Sequence, residues 1–224
     1  MHSSDLESEL VKELLLQSVP CLRTDNAHAP IPLRPVASPR PGYRQFNPTL
    51  TSHAKALYGV IRESNIYAVQ DRSWRLTSEP RSTVNHLFEY HPDHGVQWSR
   101  LLDEGALHLA VSRAWMSLED IRLFSWRGNL WGIGALHTTQ SNIIAHESSD
   151  IVARQVLFRI EEGAIVEHQI LQSPINAQFE KNRVPMVLND SLFLIYSLDP
   201  LCIYEYLPDQ SLRRVKGHPG VMTR

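Results

Sequence analysis

Three short stretches of this sequence place charged or amide side chains directly ahead of an apolar run. They are Phe46-Asn47-Pro48-Thr49-Leu50, Glu119-Asp120-Ile121-Arg122-Leu123-Phe124 and Glu180-Lys181-Asn182-Arg183-Val184-Pro185. A carboxyl such as Asp120 can donate or accept a proton. The guanidinium of Arg122 and the ammonium of Lys181 can hold an anion or a hydroxyl. Charges of both signs meeting in one cleft form the constellation expected of an active site. The plainer alternative makes Glu119, Asp120 and Arg122 a local ion pair that satisfies a sheet edge.

The elements that would position these residues read as strands. Ala56–Ile61, Leu130–Leu136 and Ser191–Ser197 are short apolar runs rich in β-branched and aromatic residues. Gly128-Asn129, Glu162-Gly163 and Asn189-Asp190 sit where hairpin turns belong. No long helical period follows residue 43, so the body is expected to be mainly β. It also carries a weak internal repeat. Glu119–Trp131 and Glu180–Phe193 both run Glu-x-x-Arg, apolar strand, turn, Leu-aromatic strand, with starts 61 residues apart. A third version begins at Phe46, 73 residues before Glu119, and continues through Leu57-Tyr58-Gly59-Val60-Ile61-Arg62. Units of this size holding several short strands suit a β-propeller of four-stranded antiparallel blades. The alternative is a β-sandwich with coincidental hairpins. In a propeller the first strand of each blade lines the central channel, so Asn47, the Glu119-Asp120-x-Arg122 cluster and Glu180-Lys181-Asn182 would converge on one mouth.

The remaining chain divides into an arm and a tail. Leu6, Leu10, Val11, Leu14 and Leu15 fall on one face of an expected helix over residues 5–18. Six prolines between Pro20 and Pro41 exclude regular structure there and indicate an extended strap. The expected organisation is an arm over 1–41, a β domain over 42–208 and a polar tail over 209–224. The 22 Lys+Arg against 24 Asp+Glu, a formal net charge of -2, exclude a strongly basic nucleic-acid binder. No apolar run approaches the roughly 18 residues of a membrane-spanning helix, and no signal peptide is evident at the start. The expectation is a soluble cytoplasmic protein with no nucleic-acid or membrane partner. Cys21 and Cys202 are expected to be free thiols.

The motif series, taken in order from Asn47-Pro48 through Tyr58-Gly59-Val60-Ile61-Arg62 and Glu119-Asp120-Ile121-Arg122 to Glu180-Lys181-Asn182-Arg183-Val184-Pro185, resembles that of five-bladed propeller glycan enzymes. It is most similar to the β-mannoside phosphorylases and their mannosyltransferase and hydrolase relatives, over roughly residues 43–206. The resemblance implies a carbohydrate-active enzyme that cleaves or transfers a glycosyl unit by phosphorolysis, transfer or hydrolysis. It implies Asp120 as the proton donor, with Asn47, Arg62, Arg122, Lys181 and Asn182 binding sugar or phosphate. Inorganic phosphate would be a co-substrate, and no other cofactor and no metal is implied. Two departures stand out: the family's proline in Glu-Asp-Pro-Arg is Ile121, and Arg183 stands where an aromatic follows Glu-Lys-Asn. Hydrolysis would need a second carboxylate. Glu119 adjoins Asp120 and would point to the opposite face of an extended strand, so it is expected to be structural.

The β domain supplies about three to four blades, so the propeller is expected to be incomplete: a truncated member, an open ring, or a ring completed by a second copy or a partner chain. The alternative function is therefore a degenerate, non-catalytic propeller that binds glycans or proteins. His86, His91 and His94 cluster around a turn, but no fourth ligand is placed by spacing. His137 reads first as a surface or core histidine, with a place facing the channel as the alternative. The five tryptophans read as core before sugar platforms.

Overall fold

The computed structural model describes residues 40–68, 74–76, 82–111, 115–139, 151–198 and 200–216. The expected helix over 5–18, the strap up to residue 39, Cys21 and residues 217–224 lie outside the described residues.

Twelve strands form three four-stranded antiparallel sheets, each laid out in chain order. The first contains β1 (Arg44–His53), β2 (Ala56–Ser64), β5 (Thr83–His91) and β6 (Gly95–Leu101). The second contains β7 (Trp115–Trp126), β8 (Asn129–Thr139), β9 (Ile151–Glu161) and β10 (Ala164–Ile170). The third contains β11 (Val184–Leu188), β12 (Ser191–Leu198), β13 (Leu201–Tyr206) and β14 (Leu212–Lys216). A two-stranded ribbon of β3 (Ile66–Ala68) and β4 (Trp74–Leu76) interrupts the first sheet, and one short helix, α1 (Gly105–Val111), follows it. The first strands stand side by side, β1 against β7 and β7 against β11. These are propeller-like blades, three in number among the described residues.

Turn chemistry sets the strand pairing. Ala54-Lys55, Arg127-Gly128, Glu162-Gly163 and Asn189-Asp190 are two-residue turns with both φ angles positive, the twist that matches a hairpin's flanking strands. The second β-hairpin turn thus falls one residue before the expected Gly128-Asn129, because Trp126 pairs with Asn129. The stretch expected to be a tail from 209 instead turns at Pro208–Gln210 and contributes β14 to the third sheet. Arg213 and Arg214 lie in this strand, and an edge strand tolerates such charges well.

Two apolar cores hold the sheets together. Val60, Leu87, Leu118, Ile121, Val156 and Phe158 are among the buried residues between the first and second sheets. Trp126, Trp131, Leu157, Leu192 and Leu194 pack between the second and third. Neighbouring strand residues point to opposite faces. Accordingly Ile61 and Phe88 form a separate cluster on the first sheet, and Met186, Phe193 and Ile203 another on the third. Both end sheets are therefore apolar on two faces. Gly59 and Gly132 each leave room for a phenylalanine ring from the neighbouring strand. A Cβ would sit 2.2 Å from the Phe88 ring at Gly59 and 2.5 Å from the Phe158 ring at Gly132.

Candidate functional site

The hairpin registers align the three sheets and sharpen the repeat. Counting back six residues from the last residue of β1, β7 and β11 reaches Asn47, Asp120 and Asn182. All three have left-handed backbones, with φ of 53°, 53° and 67°. Asn and Asp tolerate this conformation better than other residues with a Cβ. In β1 the register shifts between Phe46 and Thr49, and in β7 between Glu119 and Arg122. Two residues there oppose one on the partner, which defines a β-bulge. Pro48 occupies the second bulge position in the first sheet, where no ladder hydrogen bond is required; Ile121 occupies it in the second and turns into the core. The second and third sheets are offset by 62 residues, as the ends of β7 and β11 at Trp126 and Leu188 also show, rather than the expected 61. Asn182, rather than Lys181, therefore corresponds to Asp120.

These bulges line a cleft of about 440 Å³ bounded by Asn47, Pro48, Thr49, Asp120, Ile121, Arg122 and Asn182. Asn47 donates from Nδ2 to Asp120 Oδ1 at 2.6 Å. Arg62 Nη1 stands 3.2 Å from the same oxygen and donates to Glu119 Oε2 at 2.7 Å. Both contacts fall on Oδ1, so Asp120 Oδ2 has no protein partner among the described residues. Arg62 itself is buried and its guanidinium lies 4.4 Å over the Phe46 ring. Arg62 therefore steadies Asp120 from beneath and does not line the cleft. Arg122 does line it, and its Nε is buried without an acceptor. Among the described residues its guanidinium makes no ion pair or hydrogen bond. Lys181 is exposed and lies outside the lining, whereas Asn182 lies within it.

Glu119 faces away from the cleft. It accepts from Ser117 Oγ at 2.9 Å and from Arg62, and His137 Nδ1 lies 3.6 Å away. His137 is thus buried behind the bulge. Glu180 is equally occupied: Arg183 reaches Oε2 at 2.5 Å and Tyr196 donates to Oε1 at 2.9 Å. Arg183, standing where an aromatic was expected, is fully buried and lies 4.9 Å from the Tyr196 ring. Burial pulls its pKa down and the Glu180 charge opposes that. Asp120 is therefore the single carboxylate of the lining.

A second shared device locks the sheets just below the cleft. Asn85, in β5, donates from Nδ2 to the carbonyl of Leu118 at 2.9 Å. Gln155, in β9, donates from Nε2 to the carbonyl of Glu180 at 3.2 Å. Leu118 and Glu180 each lie two residues before the left-handed Asp120 and Asn182. The carbonyls of Asn85 and Gln155 accept in turn from the amides of Leu102 and Leu171. Each amide side chain therefore clasps the next sheet two residues before its left-handed Asp or Asn. Sequence reasoning passed over Asn85, Gln155 and Glu104. Their only signal was an amide or acid amid apolar residues. Asn85 also donates to Glu104 Oε1 at 2.8 Å. Desolvation pushes the Glu104 carboxyl up to about 7; the Asn85 hydrogen bond opposes this and the nearby Asp103 charge adds to it.

The clustered histidines separate. His86 lies in β5, 3.1 Å from the buried Glu63, while His91 and His94 stack at 4.6 Å in the β5–β6 turn. Burial raises the Glu63 pKa, but hydrogen bonds from Arg40 and Gln45 and the charges of His86 and Arg40 outweigh it and hold the carboxyl below its ordinary value. Among the described residues no three His, Cys, Asp or Glu side chains form a group that could hold a metal ion. Nor is any helix among the described residues long and apolar enough to cross a membrane.

No protein-family model and no curated protein matches the chain. The resemblance to mannoside phosphorylases therefore rests on its motif series. Among solved structures the chain is similar to the ectodomain of the parainfluenza virus 5 hemagglutinin-neuraminidase, with 8% identity and a TM-score of 0.39. The match covers 81% of this chain and 56% of that one, so the chain spans little more than half of the structure it matches.

Proposed function

We propose that the cleft binds a glycan and that the protein cleaves or transfers a glycosyl unit, with Asp120 as proton donor and an anion held by Arg122. The observation that carries this reading is the pairing of one carboxylate oxygen, Asp120 Oδ2, with one unpartnered guanidinium, Arg122, on the same wall. A departing glycosidic oxygen needs a proton, and a carboxyl can supply it. Attack by inorganic phosphate then needs a fixed cation rather than a second carboxylate. Hydrolysis by the usual pair of carboxylates is less well matched, because Glu119 and Glu180 are bound elsewhere. Asn47 and Asn182 supply amides for sugar hydroxyls at either side of Asp120.

A second reading is a non-catalytic glycan-binding module, and one observation favours it. Asp120 Oδ1 already receives Asn47 and Arg62, an arrangement that suits an acceptor for sugar hydroxyls. The two readings separate in one experiment. Sugar release from a panel of β-mannosides and other β-glycosides is followed with and without phosphate, for the native chain and Asp120→Asn. The catalytic reading expects phosphate-dependent release that falls at least 100-fold in Asp120→Asn, the lower end of a general acid's contribution of about 10²–10⁴-fold. Sugar binding by the native chain with no release under any condition would establish the binding module instead.

A further inference from the structure

The opposite end of the second and third sheets holds a recess that the cleft does not use. It has a volume of about 300 Å³ and lies between the β7–β8 and β13–β14 turns, six residues along β7 from Asp120 and so roughly 20 Å away. Trp126, Trp131 and Tyr206 form its apolar wall. Their rings are mutually tilted, with Trp126 5.1 Å from Trp131 and 6.0 Å from Tyr206. Trp131 brings an indole N–H with no acceptor. The polar wall carries unused capacity. The Gln210 side-chain amide makes no hydrogen bond among the described residues. Asn129 donates from Nδ2 to the carbonyl of Arg127 and keeps its oxygen free.

Charge in the recess is balanced. Arg159 lies 3.0 Å from Glu161 and 3.1 Å from Glu167, and Arg127 lies 3.6 Å from Asp190. An anion or a cation would gain little there, whereas a neutral ligand with hydroxyls and an apolar ring face would meet both walls. The corresponding space between the first and second sheets is shut. Arg100 stacks 4.6 Å over Trp98 and donates to the carbonyl of Glu162 at 3.0 Å. Gly163 opposite it has no Cβ to spare, since one would sit 2.5 Å from Arg100 Cδ. Counted back from the matching Leu102 and Leu171, the residue in place of Arg100 is Gln169, whose amide turns to the carbonyl of Ile170 instead.

We propose that this recess is an accessory binding site for one ring of a neutral oligosaccharide, separate from the cleft. The volume is at the small end of ligand pockets, which begin at about 300 Å³, and so suits a single pyranose unit. The proposal does not depend on what the cleft does.

The test uses the whole chain with mannopentaose and cellopentaose as probes, read by calorimetry and by tryptophan fluorescence. The Asn129→Ala/Gln210→Ala double variant changes only exposed side chains, and Gln169→Arg rebuilds the plug found at the other junction. Binding weakened at least tenfold in both variants, accompanied by a tryptophan signal and retained in Arg122→Ala, is the expected result. Absence of binding to either probe at millimolar concentration overturns the proposal, as does binding that is lost in Arg122→Ala and untouched in both recess variants. In the latter case the cleft reading stands while the accessory site falls.

Discussion

The two junctions between sheets are built on one plan and finished differently. Both share a left-handed Asn or Asp at or just before each participating first strand, an amide clasp from Asn85 or Gln155, and a glycine that admits a phenylalanine ring. The first junction is then sealed by arginines at both ends. Arg62 binds Glu119 and Asp120 beside the cleft, and Arg100 fills the far end. At the matching places of the second junction stand Ala135 and Gln169, which form no such bridges. There the apolar contacts of Trp126, Trp131, Leu192 and Leu194, with the Trp126 indole bonded to the Asp190 carbonyl at 2.9 Å, hold the sheets. One junction is therefore crossed by a buried ion pair and carries a pH-sensitive acid. The other keeps its buried pair, Arg183 with Glu180, inside the third sheet, is crossed by apolar contacts and keeps open space at its outer end.

The largest expected effect is on the charged junction. Arg62→Ala leaves Glu119 buried without its cation and should cost about 3–5 kcal/mol of stability, measured by urea unfolding. A loss below 1 kcal/mol would erase the distinction drawn between the two junctions. Next comes the acid clasp. The folded Glu104 carboxyl holds its proton more tightly than the unfolded one, so its contribution is full at low pH and is lost as pH rises from about 4.5 towards 7. Glu104→Gln should flatten this dependence, gaining on the order of 2 kcal/mol over the native chain at pH 8. Melting curves at pH 5 and pH 8 that shift in parallel for both proteins would disprove it.

Smaller effects sharpen the shared plan. Asn85→Leu and Gln155→Leu each leave one carbonyl without its donor, at about 1–3 kcal/mol. Asn85→Leu should be the costlier, since Asn85 also serves Glu104, and its cost should vary with pH while that of Gln155→Leu does not. The smallest effect is expected for Arg100→Ala. Its exposed side chain should contribute at most about 1 kcal/mol, yet its removal should open a recess beside Trp98 like that beside Trp131. Equal thermal stability with no change in Trp98 fluorescence would show that Arg100 plugs nothing.

Much of the local structure was legible in the residues. The β-branched and aromatic runs at Ala56–Ile61, Leu130–Leu136 and Ser191–Ser197 do form strands, and Glu162-Gly163 and Asn189-Asp190 do turn them. The polar residues ahead of those runs do mark one end of the sheets, but the bulge breaks strand alternation at Asp120, so that Glu119 and Asp120 both reach Arg62 Nη1 instead of pointing to opposite faces. These features depend on neighbours within a few positions, where propensity and periodicity act. The bulge register was not legible, because one extra residue in one strand leaves the period on either side intact. Neither was the fate of each charge. Arg62 and Arg122 are alike as residue types, yet only the packing of β1 and β2 against β7 places one under Asp120 and leaves the other in the cleft. The same holds for Arg100 and Gln169, since whether a junction is plugged or open depends on the turn facing it from the next sheet, some 60 residues along the chain. Sequence alone determined the strands, the turns and the end of the sheets that carries the polar motifs. Tertiary structure decided which of those residues are spent on holding the sheets and which remain to meet a ligand, because that division depends on contacts between chain segments far apart.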